Sequence, residues 1–203
     1  MKRICTSILL IATVAILCLS VFVSCAPTEA DYRFGVGTYE TELGQVAAAV
    51  VIDENYRIKA IRIDEIDLSK GKTESKKAQG ASYGMFSAWG SQLDEWDDHV
   101  EYLEIFLIGK TLGEVTQVTG KETDLTAGCT IAINGLTAAA AKAVEDAIDN
   151  EIFTTAEKIN LSLTYTVTVE NDMYVSLAQA KATAGETAVG EVTLRSGFPK
   201  AAE

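Results

Sequence analysis

An α+β fold, an antiparallel sheet packed against helices with an additional C-terminal β-hairpin, is predicted by three patterns in the chain. Residues 46–52 form an almost continuous apolar run of strand length. The turn Asp53-Glu54-Asn55 follows, and a second strand is expected over 57–66. Leu93, Trp96, Val100, Leu103 and Leu107 recur every three or four residues, as do Ile133, Leu136, Ala140, Val144 and Ala147. That spacing puts each set on one face of a helix. Ile159, Leu161, Leu163, Tyr165, Val167 and Val169 alternate strictly with polar residues, the pattern of a half-buried antiparallel strand.

The chain opens with Lys2 and Arg3, and the stretch 4–23 is apolar apart from Thr6, Ser7, Thr13 and Ser20. A short basic start, an apolar segment and a small residue before Cys25 predict a signal peptide over 1–24. Phe22-Val23-Ser24-Cys25 resembles a lipoprotein processing box, in which Cys25 receives lipid. An uncleaved membrane anchor is the alternative. Either way the remainder is expected outside the cytoplasmic membrane and tethered to it, with 25–31 as a short tether.

Composition excludes several functions. Removing Lys2 and Arg3 from the 17 basic residues leaves 15 against 29 Asp and Glu, a formal charge of −14. Such a surface repels nucleic acid. Cys5 and Cys18 leave with the leader and Cys25 is expected to be lipidated, so Cys129 has no disulfide partner in the mature chain. Cys129 reads as a small buried residue, or as a thiol activated by a helix start. His99 is the one histidine, which leaves zinc sites and nucleophile triads without partners. Asp94, Glu95, Asp97 and Asp98 do not have calcium-loop spacing and read as the acidic start of a helix.

Taken in order, Gly35-Val36-Gly37-Thr38-Tyr39 opens the fold, and the hairpin over 46–66 comes next. Lys70, Lys72, Lys76 and Lys77 make one basic cluster in an acidic chain, read as a solvated loop or as a loop beside a ligand. Tyr83-Gly84-Met85 follows it. A helix over about 91–108 ends at Gly109, which suits the residue after a helix end. Trp96 is expected in its core, with Trp89 the freer aromatic. Thr111 and Glu114 form a capping box that starts a short helix to about Val118. A polar loop over 119–123 leads through the stretch 124–130 to the second long helix, whose apolar run begins at Ile131 and which is expected to reach about Asn150. After strand 159–169, Asn171-Asp172 turns the chain and 173–177 returns. Residues 185–194 add a last strand, and the end past Ser196 is expected to fray. Asp53-Glu54-Asn55 and Glu170-Asn171-Asp172 end their strands alike, either as a decayed repeat or as two unrelated hairpins with similar turn chemistry.

The informative stretch is Asp124-Leu125-Thr126-Ala127-Gly128-Cys129-Thr130, where a helix is expected to begin. Helix N-termini present unpaired N–H groups and receive phosphate, and Gly128 would let backbone approach a ligand. Thr130 would serve either as an N-cap or as a hydroxyl beside an anion site. This stretch resembles the Asp-x-x-Ser-Gly-Ala-Thr signature of FMN-binding domains, in which a flavin transferase joins FMN to the last Thr by a phosphodiester bond. Asp124, Gly128 and Thr130 match. Ala127 stands where Ser is usual, and Cys129 where Ala is usual. The Gly-x-Tyr start, the Lys-rich loop with Tyr83-Gly84-Met85, and the order of helices before the loop resemble the lipoprotein branch of that family.

The resemblance covers about residues 32–150 and implies an FMN-binding-like domain over 32–152, with 153–203 a C-terminal β-rich extension. It implies FMN held covalently on Thr130, with Asp124, Thr126, Ala127, Gly128 and Cys129 around the attachment point and Tyr83 and Met85 near the flavin. It further implies a flavin transferase, a membrane electron donor and an external acceptor as partners. On this reading the protein is an electron carrier rather than an enzyme with its own substrate. The alternatives are a non-covalent FMN site in the same cleft and a surface lipoprotein that keeps the fold without flavin.

Overall fold

The computed structural model describes residues 28–42, 44–69, 71–85 and 95–200. The signal-peptide region 1–24, Cys25, Lys70, Trp89, Leu93 and Asp94 lie outside the described residues. The fold is α+β, with two antiparallel sheets and helices. The first sheet has the order β3-β2-β1-β4, built from β1 (Ala30–Thr41), β2 (Gly44–Asp53), β3 (Ile58–Asp67) and β4 (Ile152–Thr155). The second joins β5 (Ile159–Glu170), β6 (Met173–Ala184) and β7 (Thr187–Pro199) in chain order. Between them run α1 (Lys76–Gln79) with a 3-10 turn at Gly80–Tyr83, α2 (Trp96–Leu107), α3 (Leu112–Val115), α4 (Thr123–Thr126) and α5 (Asn134–Asp149).

Strand β2 explains its own sequence. Val46, Ala48, Val50 and Ile52 join the helix-side core with Leu103, Leu107, Leu136 and Val144. Ala49 and Val51 point the other way and meet Phe34, Ala180 and Ala182 between the sheets. A strand covered on both faces has no polar positions to alternate.

Helix α5 lies on the first sheet at backbone distance. A Cβ placed on Gly35 would come 2.3 Å from the Ala147 nitrogen, and one on Gly37 would come 2.3 Å from the Ala143 nitrogen. Ala139, Ala143 and Ala147, four residues apart, are fully buried along this seam. Ala139 and Ala143 were not in the stripe expected from the sequence. They are small because β1 stands against them, and small residues leave little trace in a hydrophobic pattern.

Several expectations need correction. The tether ends before Ala30, because Ala30 and Asp31 already pair with Thr155 and Thr154 of β4. The C-terminal hairpin and the expected last strand form one three-stranded sheet, and the strands run further than expected, β6 to Ala184 and β7 to Pro199. Residues 197–199, expected to fray, are held in β7, and Phe198 packs with Ile66, Leu68 and Tyr174. The two similar turns differ in geometry. At the first, Asp53 Oδ1 accepts from the Asn55 and Arg57 amides. At the second, Asn171 and Asp172 both take positive φ, the form of a tight type I′ hairpin.

Helix ends follow the sequence. Thr111 and Glu114 form their capping box, and Gly109 takes φ 81° just past α2. Glu95 and Asp98 form a second box at the start of α2. Within α2, Glu104 is buried and accepts from the Ile63 amide at 2.6 Å, from Arg62 at 3.1 Å and from Lys77. It thereby occupies the outer edge of β3.

A side chain at Gly35 or Gly37 has no space that a rotamer change could open, because the clashing atoms are backbone. Gly35→Val or Gly37→Val is expected to destabilise the fold by about 3 kcal/mol or more, read as a lower urea midpoint at unchanged slope.

Candidate functional site

Two segments separated in sequence are fastened to the first turns of α2. The first is the Lys-rich loop with Tyr83-Gly84-Met85. The Met85 amide donates to Glu95 Oε2 at 2.8 Å. Lys76 is buried and pairs with Glu65 at 2.7 Å. Its ammonium also lies 5.3 Å from the Trp96 ring centre and 5.4 Å from that of Tyr83, within cation–π range. Burial opposes its charge, but the hydrogen bond and charge of Glu65, then Tyr83, hold its pKa above the ordinary lysine value. The Lys72 ammonium lies 5.9 Å from the Tyr83 ring centre. Lys76 and Lys77 are therefore structural ion-pair partners, not members of a solvated loop.

The second segment is the predicted attachment loop. His99, one turn after Glu95, is buried, and its Nδ1 lies 3.0 Å from the Gly128 carbonyl oxygen. A carbonyl only accepts, so Nδ1 carries the proton. Tyr102 covers Gly128 from the same helix: a Cβ there would lie 2.1 Å from the tyrosine ring. Four residues of helix rise about 6 Å, so the Met85 and Gly128 segments are tied to α2 at neighbouring levels.

The loop is also held from below and behind. Leu125 and Cys129 are buried in the main core, and the Gly128 and Cys129 amides donate to the Leu125 carbonyl at 3.1 and 2.9 Å. Upstream, Glu122 accepts from the Thr119 and Gly120 amides and the Thr119 hydroxyl. Those bonds, the Thr119 amide first, hold its carboxyl down at about 2.

The site residues divide accordingly. Asp124 and Thr126 are exposed on α4, with the Thr126 hydroxyl donating to the Thr123 carbonyl at 3.1 Å. Ala127 is exposed at the C-cap of α4, and Gly128 is half-buried under Tyr102. Thr130 is exposed, and its hydroxyl has no hydrogen-bond partner among the described residues. Tyr83 and Met85 are half-buried against the core that also contains Trp96 and Cys129. Burial pushes the Cys129 thiol above its ordinary pKa, so it is a small core residue and not an activated nucleophile.

Three expectations about this loop change. The long helix begins at Asn134 with Ile133 as N-cap, so Thr130 is not its cap and lies four residues ahead of it. Asp124 sits in a separate short helix. Gly128 is needed for the Tyr102 ring, where the sequence pointed to a ligand.

A shallow depression lined by Tyr32, Arg33, Tyr56 and Ile152 lies at the other end of β1 and contains none of these residues. No protein-family model, curated protein or solved structure matches the chain.

Sequence reasoning missed His99 and Tyr102 as loop holders. The available signal was a polar residue at position 99 inside the apolar stripe Trp96, Val100, Leu103. Buried polar groups need partners, but the stripe does not say which segment supplies one.

Truncating His99 leaves the Gly128 carbonyl without its donor. His99→Ala is expected to cost about 1–3 kcal/mol and to speed amide hydrogen exchange around Cys129 and Thr130 more than in β2. The Glu122 clasp is acid-sensitive. Its folded pKa is lowered from 4.5 to about 2, so its stabilisation is present above 4.5 and lost as pH falls through the folded value. The Thr119 and Gly120 amide resonances are expected to titrate with a midpoint near 2, and Glu122→Gln to abolish that titration.

Proposed function

We propose that the chain is a membrane-anchored, extracytoplasmic lipoprotein that carries FMN covalently on Thr130 and acts as an electron carrier. The observation that carries this reading is the presentation of Thr130. An exposed hydroxyl with no hydrogen bond to any described residue follows directly on a loop fixed by His99, Tyr102, Leu125 and Cys129. An attachment residue must be reachable by a transferase while its neighbours stay in place. Thr130 meets both needs.

The residues present fit attachment of FMN through its phosphate at Thr130. When bound, FMN supplies the redox chemistry. The protein supplies fixation of the loop, a lysine-bearing segment tied to the same helix, and an acidic surface. A covalent bond keeps a cofactor from being lost by diffusion outside the membrane. The implied partners are a flavin transferase, a membrane electron donor and an external acceptor.

One observation favours a second reading, a surface lipoprotein that keeps this fold without flavin. The amino end of α5 is displaced to Asn134, so its dipole does not begin at Thr130 as a phosphate site there would prefer. Ala127 and Cys129 depart from the signature in the same stretch.

Intact-mass spectrometry of the mature protein, produced with an FMN transferase, decides between them. The expected result is a mass increase of one FMN that disappears in Thr130→Ala. No yellow colour and no added mass would sink the carrier reading. Yellow colour released on denaturation would replace the covalent bond with a non-covalent site.

A further inference from the structure

We infer that two copies of this chain pair along β5, joining their second sheets into one six-stranded antiparallel sheet across a two-fold axis. The inference starts from how the sheet edges are finished. Native proteins blunt exposed edges with charges, proline, bulges, short strands or covering groups. On β3 the Ile63 amide is occupied by Glu104. Strand β4 has four residues. Strand β7 carries Glu191 and Arg195, pairs with β6 through a register irregularity and ends on Pro199.

Between Ile159 and Val169, β5 has none of these devices among the described residues. It runs for twelve residues without Gly or Pro and pairs with β6 in unbroken register. It carries no charged residue from Ile159 to Val169. Its outward row of backbone groups makes no hydrogen bond to any described residue.

Its sequence is also complementary to itself. A two-fold axis at Thr164 places Ser162 opposite Thr166 and Asn160 opposite Thr168 on the exposed face. On the face turned toward the first sheet it places Leu163 opposite Tyr165 and Leu161 opposite Val167. Like meets like on both faces, as favourable cross-strand pairs require. The same register brings the two charges that bracket the neutral stretch together: Lys158 of one copy faces Glu170 of the other. Both are exposed; Glu170 accepts from Arg195 on Oε2 at 2.9 Å and from the Thr168 hydroxyl on Oε1 at 3.2 Å. In a chain this acidic, a neutral strand with opposite charges at its ends is the edge along which two copies meet without repulsion. Pairing over this length forms about ten main-chain hydrogen bonds, the number found in a typical specific interface.

The test is cysteine cross-linking of the full-length chain in detergent, with the wild type and its native cysteines as control. Thr164→Cys is expected to give a disulfide-linked dimer under mild oxidation, because the residue meets itself at the axis. Asn160→Cys alone is expected to stay monomeric, and Asn160→Cys with Thr168→Cys to cross-link. Thr164→Lys, an exposed change, is expected to convert the dimer to monomer in sedimentation velocity with an unchanged circular dichroism spectrum. A wild-type chain that sediments as a monomer overturns the inference. So does a dimer that survives Thr164→Lys, or cross-linking by Asn160→Cys as readily as by Thr164→Cys. None of these outcomes depends on flavin attachment.

Discussion

The closeness of α5 to β1 is the constraint on which the helical layer depends. Gly35 and Gly37 let the helix backbone rest on the strand, and Ala139, Ala143 and Ala147 provide the matching surface. Larger residues on either side would lift the helix off the sheet and open space around Val46, Val50 and Leu136. Because the helix is held this low, Gly135 at its start comes within 3.1 Å of Tyr39 and 3.5 Å of Val46, measured from where a Cβ would stand. The loop carrying Thr130 is thereby delivered in front of α2, where His99 and Tyr102 take hold of it.

Charge is used inside the fold more than the net value implies. Glu104 and Glu65 are tied to Lys77, Arg62 and Lys76. Asp64 is buried, accepts from the Glu65 and Lys77 amides, and has its pKa raised by burial against those hydrogen bonds. Burial, together with the charges of Asp64 and Glu65, also drives the Tyr165 hydroxyl above its ordinary value while it donates to the Gln45 carbonyl at 3.1 Å. These groups stitch β3, α1 and α2 together and fasten β5 to β2. Taking one partner from such a buried pair costs far more than the pair itself contributes. The basic cluster is thus part of the scaffold as well as a feature of the candidate site.

What could be read from the sequence was whatever has a period or a fixed chemistry. The β2 run, the alternation in β5, the α2 stripe and the Thr111–Glu114 box all correspond to elements, because burial and capping write themselves at regular positions. The start of α5 was misplaced because Thr130 is a good cap in isolation, whereas the chain uses Ile133 and leaves three more residues in the loop. Strand β7 was cut short because the contact that holds its end, Phe198 against Ile66, Leu68 and Tyr174, is long-range and leaves no local pattern. In the fold a Cβ on Gly190 would come 2.3 Å from the Phe34 ring, so that glycine makes room for sheet packing. The grip of α2 on the loop was illegible because it is a contact between residues 99 and 128, and nothing local to either records it.

The antiparallel course of α5 along β1 has a directional consequence. Gly35 faces Ala147 and Gly37 faces Ala143, so α5 starts near Tyr39 and ends near the beginning of β1. The segment expected to reach the lipid therefore enters the molecule at one pole, and Thr130 stands at the other. From Asp31 to Tyr39 the strand rises about 26 Å. With the anchor proposed above, anything borne on Thr130 points away from the bilayer, toward what lies outside. A membrane donor then reaches it only if the protein tips on its short tether or the donor itself extends outward by a comparable height.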